Sequence, residues 1–436
     1  MAVMTGVADD VVEICRDLIR IDTTNPGDHS GPGERKAAEY VAEKLAEVGV
    51  ESRIFESRPG RASVVARVAG EDPTRDALLI HGHLDVVPAN ADDWRVHPFS
   101  GEIEDGCVWG RGAVDMKDMD AMTLAVIRQR MREGRKPPRD IVLAFLADEE
   151  AAGTYGARWL VDNHPELFEG CTQAISEVGG FSQTISGDRR LYMIETAEKG
   201  IAWLRLTAKG TAGHGSMQHD DNAVTELAEA VGRIGRHRFP VRLTPTVRSF
   251  LEEVCDAEGV AFDPDDVAAT VARLGPLARV VNATLRNSAN PSRLAAGYKV
   301  NVIPQEAAAE VDGRFLPGYE DEFLATIDEL LGDRVSREFI KHEIAVESEY
   351  GRPIVGAMAA ALSEEDAGAR TVPYCLSGGT DAKSFVRLGM ECYGFAPLRL
   401  PADLDFTGMF HGIDERVPVD GLRFGVRVLD RFIDLS

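Results

Sequence analysis

The 436-residue sequence lacks an apolar run long enough to span a bilayer, an excess of basic residues and closely paired cysteines. A membrane-spanning helix needs about 20 consecutive apolar residues, so no such span is expected. The formal net charge is -24, with 72 acidic residues against 48 basic ones. That balance argues against a nucleic-acid partner and against binding to an anionic membrane surface.

The six cysteines are scattered, without the spacing of a zinc knuckle or of a disulfide framework. The first ten residues carry acidic positions and no basic start before a long apolar core, so no secretory signal is expected. We therefore predict reduced thiols and a cytoplasmic protein. Cys375 lies near a glycine cluster and is a possible nucleophile, but no neighbouring residue supports that role.

The length of the chain predicts two domains. Alternating helix and strand patterns in 1–196 and 344–436 predict an α/β domain with a mixed sheet flanked by helices. Residues 197–343 follow a β-α-β-β-α order, with strands predicted at 201–209, 298–303 and 307–315. This order predicts an inserted α+β domain of the ferredoxin-like type, a small antiparallel sheet with two helices on one face.

An apolar strand pattern at 77–80 ends abruptly in polar residues, among them His83 and Asp85. In an extended segment alternate side chains share a face, so one nitrogen of His83 can meet the carboxylate of Asp85 while the other stays free. Metal-ligating histidines are oriented in this way. A surface histidine pair beside a turn remains the alternative on this stretch alone.

Other acids and a second histidine also follow apolar strands or lie beside glycines. Three consecutive acids, 148–150, end the strand pattern at 141–147 and would repel one another without a positive partner. Asp115 precedes a helix predicted at 117–134, and Asp118 is interpreted as its N-cap. The positions that share this placement are His83, Asp115, Glu149, Glu150, Glu177 and His411.

Two histidines and several carboxylates, without a cysteine among them, form a donor set suited to zinc, cobalt or manganese. With one carboxylate bridging, the set would fill two metal positions about 3.5–4 Å apart, the geometry of two-metal hydrolases. The sequence therefore predicts two divalent metal ions, with zinc, cobalt and manganese all possible.

Five segments carry a joint pattern in order along nearly the whole chain: His83–Asp85, Gly112–Lys117, Asp148–Glu150, Glu177–Gly180 and Phe410–Gly412. Together they resemble the dinuclear zinc metallopeptidase family of aminoacylase-1, carboxypeptidase G and succinyl-diaminopimelate desuccinylase. The resemblance implies that Asp115 bridges two metals. Asp115, Glu150 and His411 would then form one site, and Asp115, His83 and Glu177 the other.

The same resemblance implies roles for neighbouring residues. Glu149, adjacent to a ligand, would be the general base, and Asp85 would fix the ring of His83. His81 matches no ligand of the family and is interpreted as structural.

In the inserted domain the resemblance implies a lid and dimerisation role, so a homodimer is expected. His214 would stabilise the oxyanion across the subunit interface. Asn301 and Arg314 would hold the tetrahedral oxygen and the terminal carboxylate of the substrate. Arg352 is a weaker match to a second carboxylate-binding arginine, and a solvated surface charge is the alternative for both arginines. Gly378, Gly379 and Asp381 match a substrate-side loop, where glycine lets the backbone approach a ligand closely.

The resulting hypothesis is a metal-dependent hydrolase that cleaves the amide bond of an N-acyl amino acid or short peptide with a free carboxylate. The alternative is a catalytically silent binding or scaffold protein on the same fold. Loss of Glu149 or of a metal ligand would favour that alternative, and each of these residues is present.

Overall fold

The computed structural model describes residues 2–28, 30–186, 189–275 and 277–436. The chain divides into two compact units. The first unit comprises 1–196, 348–374 and 380–436, and the second comprises 197–347 and 375–379. The predicted domain boundaries, 1–196, 197–343 and 344–436, stay a prediction.

The first unit is built on a mixed α/β sheet, as predicted. Two antiparallel strands at one edge lead into a parallel centre, whose strands Ala77–His83 and Ile141–Leu146 are buried along their whole length. Such continuous burial is expected where helices cover both faces of a parallel sheet. In spatial order the main strands are Ser52–Arg58, Arg61–Val68, Ile141–Leu146, Ala77–His83, Cys171–Ser176, Glu391–Gly394 and Arg189–Glu198, with Ser182–Ser186 and Ala369–Leu376 paired to the last.

The helices of the first unit lie where apolar residues recur at helical spacing. Three of them, Ala2–Arg20, Lys117–Glu133 and Val419–Leu435, pack against one another. The other α-helices described in this unit are Arg35–Ala46, Ala157–Asn163, Pro353–Glu365 and Ala382–Val386. Short 3-10 turns span Ala91–Asp93, Glu149–Ala151, Pro165–Phe168 and Phe406–Gly408.

The parallel strands place their carboxyl ends at one edge of the sheet. Ala77–His83 runs parallel to both Ile141–Leu146 and Cys171–Ser176. Polar side chains that follow these strands therefore converge at that edge, which is where open α/β sheets bind their ligands.

A separate three-stranded sheet joins distant parts of the sequence in the first unit. Arg416–Pro418 pairs antiparallel with Cys107–Trp109, which in turn pairs with Ile103–Glu104. The loops that follow Trp109 and precede Arg416 therefore leave the same end of this sheet.

The second unit contains a four-stranded antiparallel sheet in the order Ser288–Ala296, Glu306–Phe315, Gly200–Lys209 and Val335–Glu343. Along Gly200–Lys209 and Glu306–Phe315 every second residue is buried, and the buried residues form one core with the helices Ala223–Arg236 and Glu320–Leu331. This is the α+β arrangement expected for the insertion.

Two details of the second unit differ from the sequence prediction. The strand predicted at 298–303 is wrong, because the strand lies at Ser288–Ala296 and 302–303 forms only a two-residue ribbon with Gly213–His214. The sequence pattern indicates no element at Pro245–Glu258, which forms a helix capped by the side chain of Thr244, and shorter helices follow at Val267–Val271 and Leu277–Asn282.

The described part of the chain holds no helix that is both long and apolar enough to cross a membrane.

Candidate metal centre

The first unit brings the predicted ligands together at the carboxyl edge of its parallel strands. His83 is the last residue of its strand, and Glu177 directly follows Cys171–Ser176. Glu150 lies in the short turn Glu149–Ala151 after Ile141–Leu146. Asp115 arrives from the loop before Lys117–Glu133, and His411 from the loop after Phe406–Gly408.

The first group of potential ligands contains His83, Asp115 and Glu177. The Nε2 atom of His83 lies 3.0 Å from Oδ1 of Asp115 and 3.6 Å from Oε2 of Glu177. All three side chains are buried.

The second group contains His411, Asp115 and Glu150. The Nε2 atom of His411 lies 3.3 Å from Oδ2 of Asp115 and 3.0 Å from Oε2 of Glu150. Asp115 therefore directs one carboxylate oxygen to each group, as a bridging ligand must.

These spacings fit metal coordination. In a tetrahedral zinc site with ligand distances of about 2.0–2.2 Å, neighbouring ligand atoms lie roughly 3.3–3.6 Å apart. The four atom pairs span 3.0–3.6 Å. In addition, the buried Oε1 atom of Glu150 has no hydrogen-bond partner among the described residues. The donor set and its spacing thus fit two divalent ions.

The electrostatics of the protein alone favour positive charge at this place. Burial, and then the charge of Glu177, raise the pKa of Glu149 well above its usual value. Burial and the charge of Asp115 raise the pKa of Glu150 to about 7. Hydrogen bonds to Asp115 and Glu150 raise the pKa of His411 to about 10. Without cations the cluster would therefore hold protons that divalent ions can replace.

The backbone is strained beside these side chains. Asp148, Val178 and His411 adopt left-handed φ values of 69°, 57° and 58°. Such conformations cost on the order of 1–3 kcal/mol each in a non-glycine residue and concentrate at functional sites. Here they occur at His411 and directly beside Glu149 and Glu177.

Asp85 forms hydrogen bonds that hold the backbone at the same edge of the sheet. Its Oδ1 accepts the backbone N–H of Glu149 at 3.1 Å, and its Oδ2 accepts that of Glu150 at 3.1 Å. Its backbone carbonyl lies 2.9 Å from Nδ1 of His83, whereas its carboxylate lies 3.5 Å from that nitrogen. The ring of His83 is thus oriented by the main chain of Asp85 more closely than by its side chain.

Asn25 also belongs to this site, although the sequence around it does not indicate such a role. The Nδ2 atom of Asn25 donates to Asp85 at 2.8 Å and to Asp148 at 3.2 Å. Its Oδ1 accepts from Arg61 at 2.7 Å, and Arg61 also pairs with the buried Glu34. No local sequence signal links these residues to the site, because the contacts join segments far apart in the chain.

The structure bears on the interpretations of Asp118 as an N-cap and of His81 as a structural residue. Asp118 is not the N-cap predicted from the sequence, because the cap position is Met116 and Asp118 lies buried in the first turn. His81 is buried against the ring of Phe385, with its pKa lowered by burial to about 3. That environment agrees with a structural role.

Comparison with known proteins decides the family. The model of "Peptidase family M20/M25/M40" matches residues 79–435. The chain belongs to this family. It is 27% identical to the N-fatty-acyl-amino acid synthase/hydrolase PM20D1 of Xenopus tropicalis, over 98% of this chain and 86% of the relative. It is 26% identical to aminoacylase-1 of Sus scrofa, over 93% and 90%. The M20 family metallo-carboxypeptidase Sso-CP2 of Sulfolobus solfataricus shares the fold, with a TM-score of 0.72, 18% identity and coverage of 98% and 99%.

Membership of this family confirms the predicted resemblance and the enzyme class. The chain is a metal-dependent amide hydrolase, and the scaffold alternative is not supported. Its metal ligands and general base remain assignments from geometry and resemblance.

The remaining predicted residues of the M20 chain lie mostly in the second unit. His214 is exposed on the ribbon that pairs Gly213–His214 with Val302–Ile303, and its Nδ1 lies 2.8 Å from Oγ of Ser216. The carbonyl of Asn301 accepts the N–H of Gly215, so Asn301 and His214 occupy the same ribbon.

Arg314 and Gly378 line one cavity of the second unit, with a volume of about 690 Å³. Asp312 holds the Arg314 guanidinium, accepting from Nε at 2.7 Å and from Nη2 at 3.3 Å. The cationic residues on the cavity wall are Lys199, Arg238, Arg286 and Arg314.

Arg352 belongs to the first unit and precedes the helix Pro353–Glu365. Its guanidinium pairs with Glu391 at 2.7 Å and with Glu349 at 3.3 Å, and nearly half of its side chain is exposed. This environment favours the surface-charge alternative, and substrate binding by Arg352 remains a prediction.

Proposed function

We propose that this enzyme hydrolyses the amide bond of an N-acyl amino acid or short peptide with a free carboxylate, using two zinc ions and a glutamate base. The observation that carries the proposal is the division of the two Asp115 oxygens between two ligand groups, one around His83 and one around His411. Glu149 lies within 4.8 Å of donor atoms of His83 and Glu177, and we assign it to proton transfer rather than to metal binding.

The ions would be held by His83, Asp115 and Glu177 on one side and by His411, Asp115 and Glu150 on the other. Two divalent ions in these positions would supply Lewis acidity, polarising the scissile carbonyl and acidifying water. Imidazole and carboxylate donors suit zinc, with cobalt and manganese as the alternatives.

Glu149 would accept a proton from the attacking water and then donate it to the departing amine. Its carboxylate can lie within 4.8 Å of donor atoms of His83 and Glu177, which is close enough to serve a water at the site. Burial raises its pKa, the direction that a general base working near neutral pH needs. Asp85 would keep Glu149 in place through the backbone N–H.

The cavity of the second unit supports a substrate with a carboxylate. Four cationic residues and one acid, Asp312, line it, although the whole chain carries a net charge of -24. Arg314 would pair with the substrate carboxylate, while Asp312 holds its guanidinium in one orientation. Gly378, with Gly379 beside it, would let the backbone approach the ligand closely. The size of the cavity falls within the range of about 300–1,000 Å³ usual for small-molecule sites.

His214 would donate a hydrogen bond to the developing oxyanion of the neighbouring subunit in a homodimer, with Asn301 beside it. The exposed apolar side chains of Met217, Tyr298 and Val300 support an interface near this ribbon. They lie close in sequence to the paired segments Gly213–His214 and Val302–Ile303.

The proposed setting is the cytoplasm, with small-molecule substrates and no nucleic-acid or membrane partner. All six cysteines carry free thiols, and five of them are buried. That usage is compatible with a reducing compartment.

The proposal is tested by an activity screen with metal-stripped protein reconstituted with zinc or cobalt. The substrates are N-acetyl amino acids, N-fatty-acyl amino acids, dipeptides and N-succinyl compounds, each beside its carboxamide analogue. We expect amide cleavage that requires metal and a free carboxylate. Equal cleavage of the carboxamides would contradict the substrate class, and full activity of the metal-stripped protein would contradict the mechanism.

A further inference from the structure

One buried carboxylate holds the loop that carries Asp115. Glu415 accepts four hydrogen bonds within the first unit. Its Oε1 accepts the backbone N–H groups of Val114 at 2.7 Å and Asp115 at 3.1 Å. Its Oε2 accepts that of Gly112 at 3.1 Å and the side chain of Arg111 at 2.7 Å. The main chain of the proposed bridging ligand is therefore fixed by a side chain whose hydrogen bonds come from backbone N–H groups and from Arg111.

Arg111 connects the same point to the loop of the second histidine. Its Nη1 donates to Glu415, and its Nη2 donates at 2.8 Å to the carbonyl of Gly412, the residue after His411. A further backbone bond joins the N–H of Gly110 to the carbonyl of Glu415 at 3.0 Å. The Asp115 and His411 loops thus meet at one buried ion pair.

The burial of Arg111 and Glu415 indicates what their ion pair contributes. Arg111 is 4% exposed and Glu415 is fully buried. A buried ion pair is costly to desolvate and is often no better for stability than well-packed apolar residues. The ion pair makes four hydrogen bonds to the backbone, because Glu415 accepts three and Arg111 donates one. These bonds specify where the two loops lie relative to one another, which apolar side chains would not do.

We propose that Arg111 and Glu415 are positioning residues of the metal centre, and that the site of His411 depends on them more than the site of His83. The inference rests on the proposed two-metal function. The site of His411 takes two ligands, Asp115 and His411 itself, from the loops that the pair joins. The site of His83 takes only Asp115 from them, because His83 and Glu177 are carried by strands of the sheet.

The test is the metal affinity of Glu415→Gln. A glutamine of the same shape can accept at one oxygen only, so its amide NH₂ group faces donors of the backbone or of Arg111. Zinc titration of stripped protein by calorimetry should show two sites in the wild type. In the variant, the dissociation constant of one site should rise by about 10- to 100-fold, as for other residues that orient ligands. The other site should change less.

The identity of the weakened site is checked with cobalt and with His411→Ala as reference. The absorption spectrum of Glu415→Gln with one cobalt equivalent should match that of the His411→Ala protein with one equivalent. A match to a His83→Ala reference, or equal weakening of both sites, would overturn the proposal.

A matched control separates positioning from general stability. Arg130 is also a buried arginine of the first unit, paired with Asp430 and Asp434 at 2.7 Å each, on the C-terminal helix. Arg130→Gln should lower the melting temperature and leave both zinc affinities unchanged. If it weakens zinc binding as much as Glu415→Gln does, metal affinity follows stability and the proposal fails.

If Glu415→Gln does not fold, the same zinc titration of Arg111→Lys tests the proposal. Lysine keeps the charge beside Glu415 but cannot form the fork that also reaches the Gly412 carbonyl. The site of His411 should again weaken selectively, and wild-type affinity at both sites would overturn the proposal. Failure of the two-metal function is distinguishable, since the wild type itself would then bind fewer than two zinc ions.

Discussion

Asn25 donates a hydrogen bond at 2.8 Å to the carboxylate of Asp85, a residue 60 positions later in the chain. Through this bond a buried amide sets the orientation of a carboxylate whose two oxygens also accept the backbone N–H groups of Glu149 and Glu150. The backbone of the proposed general base and of a proposed metal ligand is thus held by Asp85, which Asn25 orients.

Replacement of Asn25 should therefore impair catalysis without removing any group that acts on the substrate. In Asn25→Ala, Asp85 loses a buried donor, so we expect the rate constant kcat to fall about 10- to 100-fold, as when other residues that orient ligands are changed. Steady-state kinetics with saturating zinc measures this. Asn25→Asp should be worse, because it places a like charge beside Asp85 and Asp148. Wild-type kcat in both variants would exclude the positioning role.

Glu149→Gln tests the base while keeping the shape of the side chain. Turnover should drop at least about 100-fold, because the amide cannot accept the proton of the attacking water. Zinc content by elemental analysis should stay near two per chain, since neither ligand group requires Glu149. Glu150→Gln is the neighbouring control and should instead lose metal. A Glu149→Gln enzyme with full turnover, or one that has lost an ion, would assign Glu149 a different role.

Much of the site could be predicted because its donors follow apolar strands. His83, Glu149 and Glu177 each come at or just after a buried run, and parallel strands must bring such ends together. His411 joins this set because it lies beside a glycine, and the resemblance pairs it with Asp115, which no strand pattern would have done. The main helices and the mixed sheet followed from apolar spacing for the same reason, since burial of one face leaves a periodic trace.

What the sequence did not predict depends on contacts between distant segments. Asn25 and Glu415 resemble ordinary turn and surface residues until the fold brings them to Asp85 and Arg111. The strand at Ser288–Ala296 was missed because it lies at the edge of its sheet and is largely exposed, so its apolar alternation is weak. Edge strands often lack the alternation of apolar and polar residues that identifies central strands.

His214 gives a test of the proposed dimer by subunit mixing. His214→Ala should be nearly inactive, with a loss of about 100- to 1,000-fold, the range for one oxyanion donor. Mixed with the equally inactive Glu149→Ala, it should recover activity, because one site of each hybrid dimer then has an intact base and an intact histidine. Activity assays after co-refolding, with hybrid dimers confirmed by mass spectrometry, measure this. Hybrids without activity would place His214 in its own subunit or outside the reaction.

We predict that Lys199 makes substrate binding dependent on pH. Its ammonium group is buried at the wall of the cavity that Arg314 shares, where it donates to the carbonyls of Ala283 at 3.0 Å and Arg286 at 2.6 Å. Burial lowers the pKa of Lys199 to about 8. Below that pH the cavity holds the full set of cations, and above it one charge is lost.

The KM of a carboxylate substrate should therefore rise as the pH increases from about 7 to 9.5. A fall in KM over this range would contradict the prediction. A charged hydrogen bond contributes about 1.5–3 kcal/mol, so the increase should be roughly 10-fold or more. Lys199→Arg provides the control, because a guanidinium stays charged throughout this range and its KM should be flat. An identical pH profile in both proteins would remove Lys199 from carboxylate binding, since only the lysine can lose its proton here.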